Sequence, residues 1–576
     1  MARGDLQRVL HSLPLVALLA AVPAVHAASL ASVQHFVVIF EENHSFDNLY
    51  GGWERVRGLA DAPAERILQV GQSGAPYTCL AQTDVNLASP PLPATCADST
   101  TATHFESAFR NAPFTIDDYI AASDRTCPRT SQPQEGVPKG TGVAGGCTRD
   151  SVHRFYQEQY QIDGGRQDRY VTGSDATGLV MGLYDTRRLP IYRYLHSPGH
   201  PRYAIADDVF QGAFGGSFLN HQWLVAAATP VLADAISDGS SRDRHSVLDA
   251  NGFPTAYPLY APEPAGAEQK DAALSVRCGP DVPTGRACGD YVVNTMQPFF
   301  QPFPPGLVAA KRLPPLTNPT IGDRLNGAGV DWAWYSGGWS NASGARGAPG
   351  WTNGDGESCS DAHAMQGAVF PNCPDELFQF HHQPLNYFAA FDPRTAAGAA
   401  NRAAHLRDEA EFIAVTQRSR RRCELKPVSF IKPIGAENEH PGYASEAHGS
   451  GHLVELLRAI SASACARDTL VIVTYDEFGG QWDHVSPPGP GNNRGPHDPF
   501  GPGTRVPALL LSPRLRAPFV VDTASHDTTS IVATIEHRFG LAPLGTRDAA
   551  VNDYASVFAA APGRVATSHA AGARAQ

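Results

Sequence analysis

The chain has 576 residues, 42% of them hydrophobic, enough for a substantial core in one large α/β domain. Its formal charge of −12 argues against nucleic acid, whose binders carry a basic face. Beyond the first thirty residues no run stays apolar long enough to span a bilayer.

At the N-terminus, Arg3 and Arg8 precede "LPLVALLAAVPAV", and "VHA" ending at Ala27 is an acceptable cleavage site. Residues 1–27 therefore read as an export signal, which places the mature chain in the periplasm or outside the cell with no transmembrane segment. All ten cysteines follow the cut, and an even count in an exported chain points to disulfides. They fall in neighbouring twos: Cys79 and Cys96, Cys127 and Cys147, Cys278 and Cys288, Cys359 and Cys373, Cys423 and Cys465. Neighbour pairing is the simplest expectation, though spacing alone leaves the connectivity open. No CxxC is present, which argues against a thiolate zinc site.

In chain order, six short runs read as strands covered on both faces. They are "HFVVIF" (35–40), "YAIAD" (203–207), "VDWAWY" (330–335), "PVSFI" (427–431), "TLVIVTY" (469–475) and "PALLLS" (507–512). Between them lie helix patterns. "HLVELLRAI" sets Leu453, Leu456, Leu457 and Ile460 on one face. "DTTSIVATIEHRFG" starts at a capping Asp or Thr, carries Ile531, Ile535 and Phe539 at helical spacing and stops at Gly540. Alternation of strand and helix predicts a doubly wound, mainly parallel sheet. Two stretches break the rhythm, 57–150 and 228–328, both rich in Pro, Ala and Gly. They read as functional insertions within one catalytic domain spanning 28–561. The cysteines are expected to staple them, and residues 562–576 read as a disordered tail.

The strand "HFVVIF" runs into "EENHSFDNLYGGW", which gathers Glu42, Asn43 and Asp47. "TLVIVTY" runs into Asp476 and Glu477. In a parallel sheet ligands bind outside the carboxyl ends of the strands, so both acid pairs are expected on one edge. Like charges there raise each other's pKa unless a cation compensates. Hard oxygen donors suit Ca, Mg, Mn or Zn; the identity of the divalent metal stays open. In "FGGSFLNHQW", Gly215 and Gly216 allow a sharp turn before Ser217, followed by Asn220 and His221. The spacing is not G-x-S-x-G. Histidines recur in polar, glycine-bearing contexts: His153, His381, His382, His440 and His484. Several in such loops suit an anion or a leaving group.

"FEENHSFDNLYG" resembles the E-N-x-S-F-D-x-x-x-G opening of the bacterial phosphoesterase family, which holds secreted acid phosphatases and phospholipases C of the non-zinc type, within the alkaline phosphatase superfamily. The resemblance continues in order through "HRFYQEQYQIDGGRQDRYV", "ADDVFQGAFGGSFLNHQW", "FQFHHQPLNYF", "HPGYASEAHGSGHLVELL", "TLVIVTYDEFGGQWDHVSPP" and "DTTSIVATIEHRFGL". It implies an alkaline phosphatase-like α/β fold. By position it implies metal ligation by Glu42, Asn43, Asp476 and Glu477, and by Ser217, which is also the nucleophile. His153, His382 and His440 match histidines expected to line the phosphate pocket. The doublet leaves His381 as an alternative to His382, and the role of His484 is not assigned. One position departs from the pattern: the family's G-D-x-H becomes "HGSGH", with Ser450 in the acid's place.

The resemblance implies a secreted, metal-dependent phosphomonoesterase of acid-phosphatase type that forms a phosphoserine. Histidine cations are expected to supply the phosphate donors without lysines. The alternative is a phospholipase C cleaving choline-type lipids, so the partners are small phosphate esters or phospholipid head groups. Two features favour the first: the "SFLNHQ" and "FQFHHQPLNYF" blocks, and the short stretch after "RFGLAPL". No C-x-P-x-R is present to supply a sulfatase's formylglycine. A non-catalytic secreted binding protein of the same fold offers no reason to keep Ser217 beside two acid pairs.

Overall fold

The computed structural model describes Met1 and residues 29–71, 73–88, 92–99, 104–128, 137–237, 273–280 and 282–558. The residues read as an export signal, apart from Met1, and those read as a C-terminal tail lie outside these residues, as do parts of both stretches read as insertions. Eight strands form one sheet: β1 (His35–Glu41), β2 (Tyr203–Ala206), β3 (Trp332–Ser336), β4 (Leu406–Asp408), β5 (Val428–Lys432), β6 (Thr469–Tyr475), β7 (Ala508–Leu511) and β8 (Phe519–Asp522). Their spatial order is β4-β3-β5-β1-β6-β7-β2-β8. All neighbours run parallel except β7, which is antiparallel to both β6 and β2. The fold is thus mixed α/β around a large, mostly parallel sheet.

The central strands are apolar because both faces are covered. In β1, Phe36, Val37, Val38, Ile39 and Phe40 are all buried. Register places Glu41 opposite Tyr475, so the acids that follow β1 and β6 emerge side by side. β5 flanks β1 on the other side, with Ile39 opposite Ile431. The same sheet edge therefore presents the residues after β1, the end of β5 and the residues after β6.

The helices used below are α1 (Phe155–Ile162), α2 (Pro190–Leu195), α3 (Ser217–Ala226), α4 (Glu409–Arg418), α5 (Glu446–Ser461) and α6 (Thr529–Phe539). α5 buries Leu453, Leu456, Leu457 and Ile460, the face read from its spacing. α6 ends on Gly540 at φ 66°, a left-handed C-cap. Its start is secured by Asp527 Oδ1, which accepts from the Thr529 N–H at 2.6 Å.

All five neighbouring cysteine pairs are bonded. Two lie in the first insertion and one in the second. Cys359–Cys373 and Cys423–Cys465 lie outside both, so the staples are spread more widely than expected. The first insertion contributes Tyr77, Leu80, Leu87, Phe109, Ile116 and Ile120 to a second hydrophobic cluster with Phe478 and Trp482. It therefore packs directly on the segment that follows Asp476 and Glu477. The stretch read as the end of the second insertion already carries a helix, Ile321–Gly327, capped reciprocally by Thr320 and Asp323.

Candidate active site

Glu42 and Asn43 follow β1 directly, and Asn43 takes a left-handed backbone, φ 54°. That turn lets its N–H donate to Asp476 Oδ1 at 3.1 Å, which ties the two acid-bearing strand ends together. Asp476 Oδ1 also accepts from the Glu477 N–H at 2.8 Å. Glu477 Oε2 accepts from the Gly479 N–H at 2.5 Å. Each of Glu42, Asn43, Asp476 and Glu477 is fully buried.

Ser217 is the first residue of α3. The turn before it needs glycine: Gly215 sits at φ 89°, and a Cβ there would stand 2.8 Å from the Phe155 amide nitrogen. Glu158 of α1 holds this turn from below, accepting from the Gly215 N–H at 2.5 Å and the Thr504 N–H at 2.7 Å. Ser217 Oγ donates to Glu42 Oε2 at 3.0 Å.

Histidines ring this group. His153 Nε2 is 3.5 Å from Glu477 Oε1, and its Nδ1 donates to the Ser151 carbonyl at 2.6 Å. His440 Nδ1 donates to the Pro441 carbonyl at 2.6 Å, while its Nε2 accepts from Asn43 Nδ2 at 3.1 Å. His382 Nε2 stands 3.1 Å from Glu42 Oε1, so His382 is the member of the doublet that meets the carboxylates. The residues named from sequence are thus brought together from six separated segments.

Two are not. His484 hydrogen-bonds Asp47 Oδ2 at 2.5 Å, and Asp47 Oδ1 accepts from Arg505 at 2.9 Å. Asp483 also accepts from Arg505, at 3.0 Å. Asp47 therefore turns away from Glu42 and Asn43 into a separate buried charge network that fixes the opening loop. The charge of Arg505, with hydrogen bonds from His484, holds the Asp47 carboxyl low against the upward pull of burial.

Two neighbours, Lys432 and Asp150, escaped the sequence reading, and His221 was noted after Ser217 without a role. Lys432, at the end of β5, is fully buried and pairs with Glu42 Oε1. A lysine does stand in this centre, contrary to the expectation of histidine cations alone. His221, one helical turn after Ser217, donates Nδ1–H to the Ser217 carbonyl at 2.8 Å and stacks parallel on His382. Asp150 offers an oxygen within 4.8 Å of ligand nitrogens on His153 and His440. A strand ending in lysine on the acid-bearing edge was the available signal for Lys432, and i+4 helical spacing for His221.

Burial dominates the electrostatics. It raises Glu42 to about 8, with Asp476 adding to the shift and Lys432 opposing it. Burial, then Asp476, raises Glu477. The histidines move the other way: burial and Arg154 lower His153 to about 3, and burial lowers His382 and His440 strongly. Desolvation thus disfavours the charged form of all three imidazoles. Asn43 Oδ1, Asp476 Oδ2 and Glu477 Oε1 are buried and have no hydrogen-bond partner. Bare, buried, hard oxygens beside Glu42 fit a divalent cation, since otherwise their desolvation goes uncompensated.

The Phosphoesterase family model matches residues 33–542. The chain belongs to the Phosphoesterase family. Similar proteins include "Phospholipase C B" of Mycobacterium tuberculosis (strain ATCC 25618 / H37Rv), 38% identical over 156 residues, covering 23% of this chain and 29% of that protein. "Non-specific phospholipase C6" of Arabidopsis thaliana is 33% identical over 134 residues, 20% of this chain and 26% of that one. "Non-hemolytic phospholipase C" of Pseudomonas aeruginosa (strain ATCC 15692 / DSM 22644 / CIP 104116 / JCM 14847 / LMG 12228 / 1C / PRS 101 / PAO1) is 29% identical over 142 residues, 20% of each chain. The match to these relatives spans less than a third of their length.

Proposed function

We propose that the chain is a metal-dependent phosphoric ester hydrolase with an alkaline phosphatase-like, doubly wound fold, acting through a phosphoserine on Ser217. Residues 28–561 form the catalytic domain, with insertions near 57–150 and 228–328. The observation that carries this reading is the hydrogen bond from Ser217 to Glu42 beside the bare oxygens of Asn43, Asp476 and Glu477. Those four residues with Ser217 would hold one divalent cation. Bound there, such an ion lowers the pKa of a hydroxyl and neutralises charge on phosphoryl oxygens.

The chain's own residues supply the rest. Glu42 Oε2 accepts the Ser217 proton as Oγ attacks phosphorus, forming the P–O(Ser217) bond while the P–O bond to the leaving group breaks. His153, His382 and His440 line the pocket, and one of them, protonated alongside the phosphate group, gives its proton to the leaving alkoxide. Water then attacks phosphorus and passes a proton to that imidazole, the P–O(Ser217) bond breaks, and Glu42 returns its proton to Ser217. Export to the periplasm or medium fits five disulfides with no free cysteine, and among the described residues no helix is long and apolar enough to cross a membrane.

The names of the relatives favour phosphodiester cleavage of phospholipase C type over the acid phosphatase reading. The "SFLNHQ" and "FQFHHQPLNYF" blocks support the second. Rates on p-nitrophenylphosphorylcholine and p-nitrophenyl phosphate separate them: a higher kcat/KM on the choline diester identifies the phospholipase, a higher value on the monoester the phosphatase. Turnover of neither refutes the hydrolase.

A further inference from the structure

Lys432 closes β5 against the segment that carries Glu42. Its Nζ donates to the Phe40 carbonyl at 2.8 Å and the Glu41 carbonyl at 3.4 Å, and it pairs with Glu42 Oε1. It thus makes two hydrogen bonds and one ion pair, and none of it reaches solvent. His382 Nε2 converges on the same oxygen, 3.1 Å from Glu42 Oε1. Glu42, His221 and His382, all buried, each bring a ligand-type atom within 4.8 Å of the others. Two imidazoles and a carboxylate form a donor set typical of divalent transition metals. The tautomer of His221 is fixed for that role. Its Nδ1–H is taken by the Ser217 carbonyl, so the buried Nε2 carries the lone pair and has no hydrogen-bond partner.

We propose that Lys432 is the built-in second cation of the centre, its ammonium taking the charge position that Glu42, His221 and His382 would otherwise offer to a second divalent ion. The proposal rests on the metal reading of Glu42, Asn43, Asp476 and Glu477. Glu42, Asp476 and Glu477 as carboxylates, one ammonium and one divalent ion sum to zero charge. A second divalent ion beside Lys432 would leave it doubly positive inside a buried pocket, where uncompensated charge is costly. Removing the ammonium relieves that repulsion and frees Glu42 Oε1. Lys432 is also a positioning residue: by holding Oε1 it leaves Oε2 for the Ser217 hydroxyl.

The test is Mn²⁺ binding to the metal-stripped full chain, read by elemental analysis after gel filtration and by electron paramagnetic resonance. Wild type should hold one Mn²⁺ per chain with an uncoupled signal. Lys432→Met, neutral and of similar volume, should hold two with a spin-coupled signal, and Lys432→Met with His221→Ala should return to one. Lys432→Arg, which keeps the charge, should hold one. One Mn²⁺ in Lys432→Met overturns the proposal, whereas none in wild type overturns the metal reading beneath it. If Lys432→Met is recovered only in the presence of Mn²⁺, its bound content decides in the same way. His221→Ala alone should keep one Mn²⁺ with affinity within threefold of wild type. Loss of that ion would make His221 a ligand of the first site and overturn the proposal even if no Lys432 variant folds.

Discussion

Ser217 and Glu42, 175 residues apart in sequence, are joined by a 3.0 Å hydrogen bond between two fully enclosed strand and helix ends. The bond exists because β1 and α3 meet at the sheet edge where β6 also ends. It brings the hydroxyl proposed to attack and the carboxylate proposed to accept its proton into one buried place.

The acids around that bond set the first prediction. Asp476→Asn removes one charge from a group whose members raise one another's pKa. It keeps the Oδ1 acceptor for the Asn43 and Glu477 amides, so the fold should survive. The expected outcome is a fall in kcat/KM of at least a hundredfold with a circular dichroism spectrum unchanged. Activity within threefold of wild type would remove Asp476 from the centre.

The turn before Ser217 sets the second. Gly215→Ala places a Cβ at a positive φ and 2.8 Å from backbone nitrogen, and backbone cannot yield as a flexible side chain does. The left-handed conformation alone costs roughly 1–2 kcal/mol for a residue with a Cβ. Urea denaturation should show a loss of at least that size, and kcat should fall further than stability because Ser217 shifts with the turn. Unchanged stability would contradict the strained turn.

The third concerns pH and lies away from the catalytic group. His452 Nε2 is 2.8 Å from Glu409 Oε1. Burial pulls the imidazole pKa down, but the hydrogen bond and charge of Glu409, with Glu437 behind it, push it up to about 9. The unfolded value is about 6.5. Stability from this pair is therefore fully present below about pH 6.5 and lost as pH rises through 9. His452→Gln should cost roughly 2–3 kcal/mol at pH 6, and the gap to wild type should shrink by most of that at pH 9.5. An equal gap at both pH values would mean that packing, not the ion pair, carries the effect.

Much of this arrangement was legible in the sequence because buried parallel strands announce themselves as unbroken apolar runs. β1 and β6 were readable almost to the residue, and their polar ends pointed to one edge. β4 and β8 were not, since "LRD" and "FVVD" are too short to stand out. The antiparallel sense of β7 was also hidden, because a covered strand reads the same in either direction. At the site, Glu42, Asn43, Ser217, His153, His382, His440, Asp476 and Glu477 lie together. Lys432 was missed because a lysine after "VSFI" reads as a strand end reaching solvent, and only the neighbouring β1 carbonyls show that it is buried. Asp47 misled because it shares a short motif with Glu42. The helix starting at Phe46 turns it toward Arg505 instead. Ser450, in the place of the family's acid, accepts from the Ile191 N–H at 3.1 Å and so caps α2, while His452 finds its acid in Glu409 of α4.

Ser217 is the residue proposed to carry the phosphoryl group. A serine serving only to start α3 would tolerate alanine, with a cost limited to stability. The most direct measurement is acid quenching during turnover, followed by peptide mapping of the phosphate. The account predicts phosphate on the peptide containing "GGSFLNH" in wild type, and none there in Ser217→Ala, whose kcat should fall at least a thousandfold while vanadate still binds. Near-normal kcat in Ser217→Ala, or trapped phosphate on another residue, would contradict it.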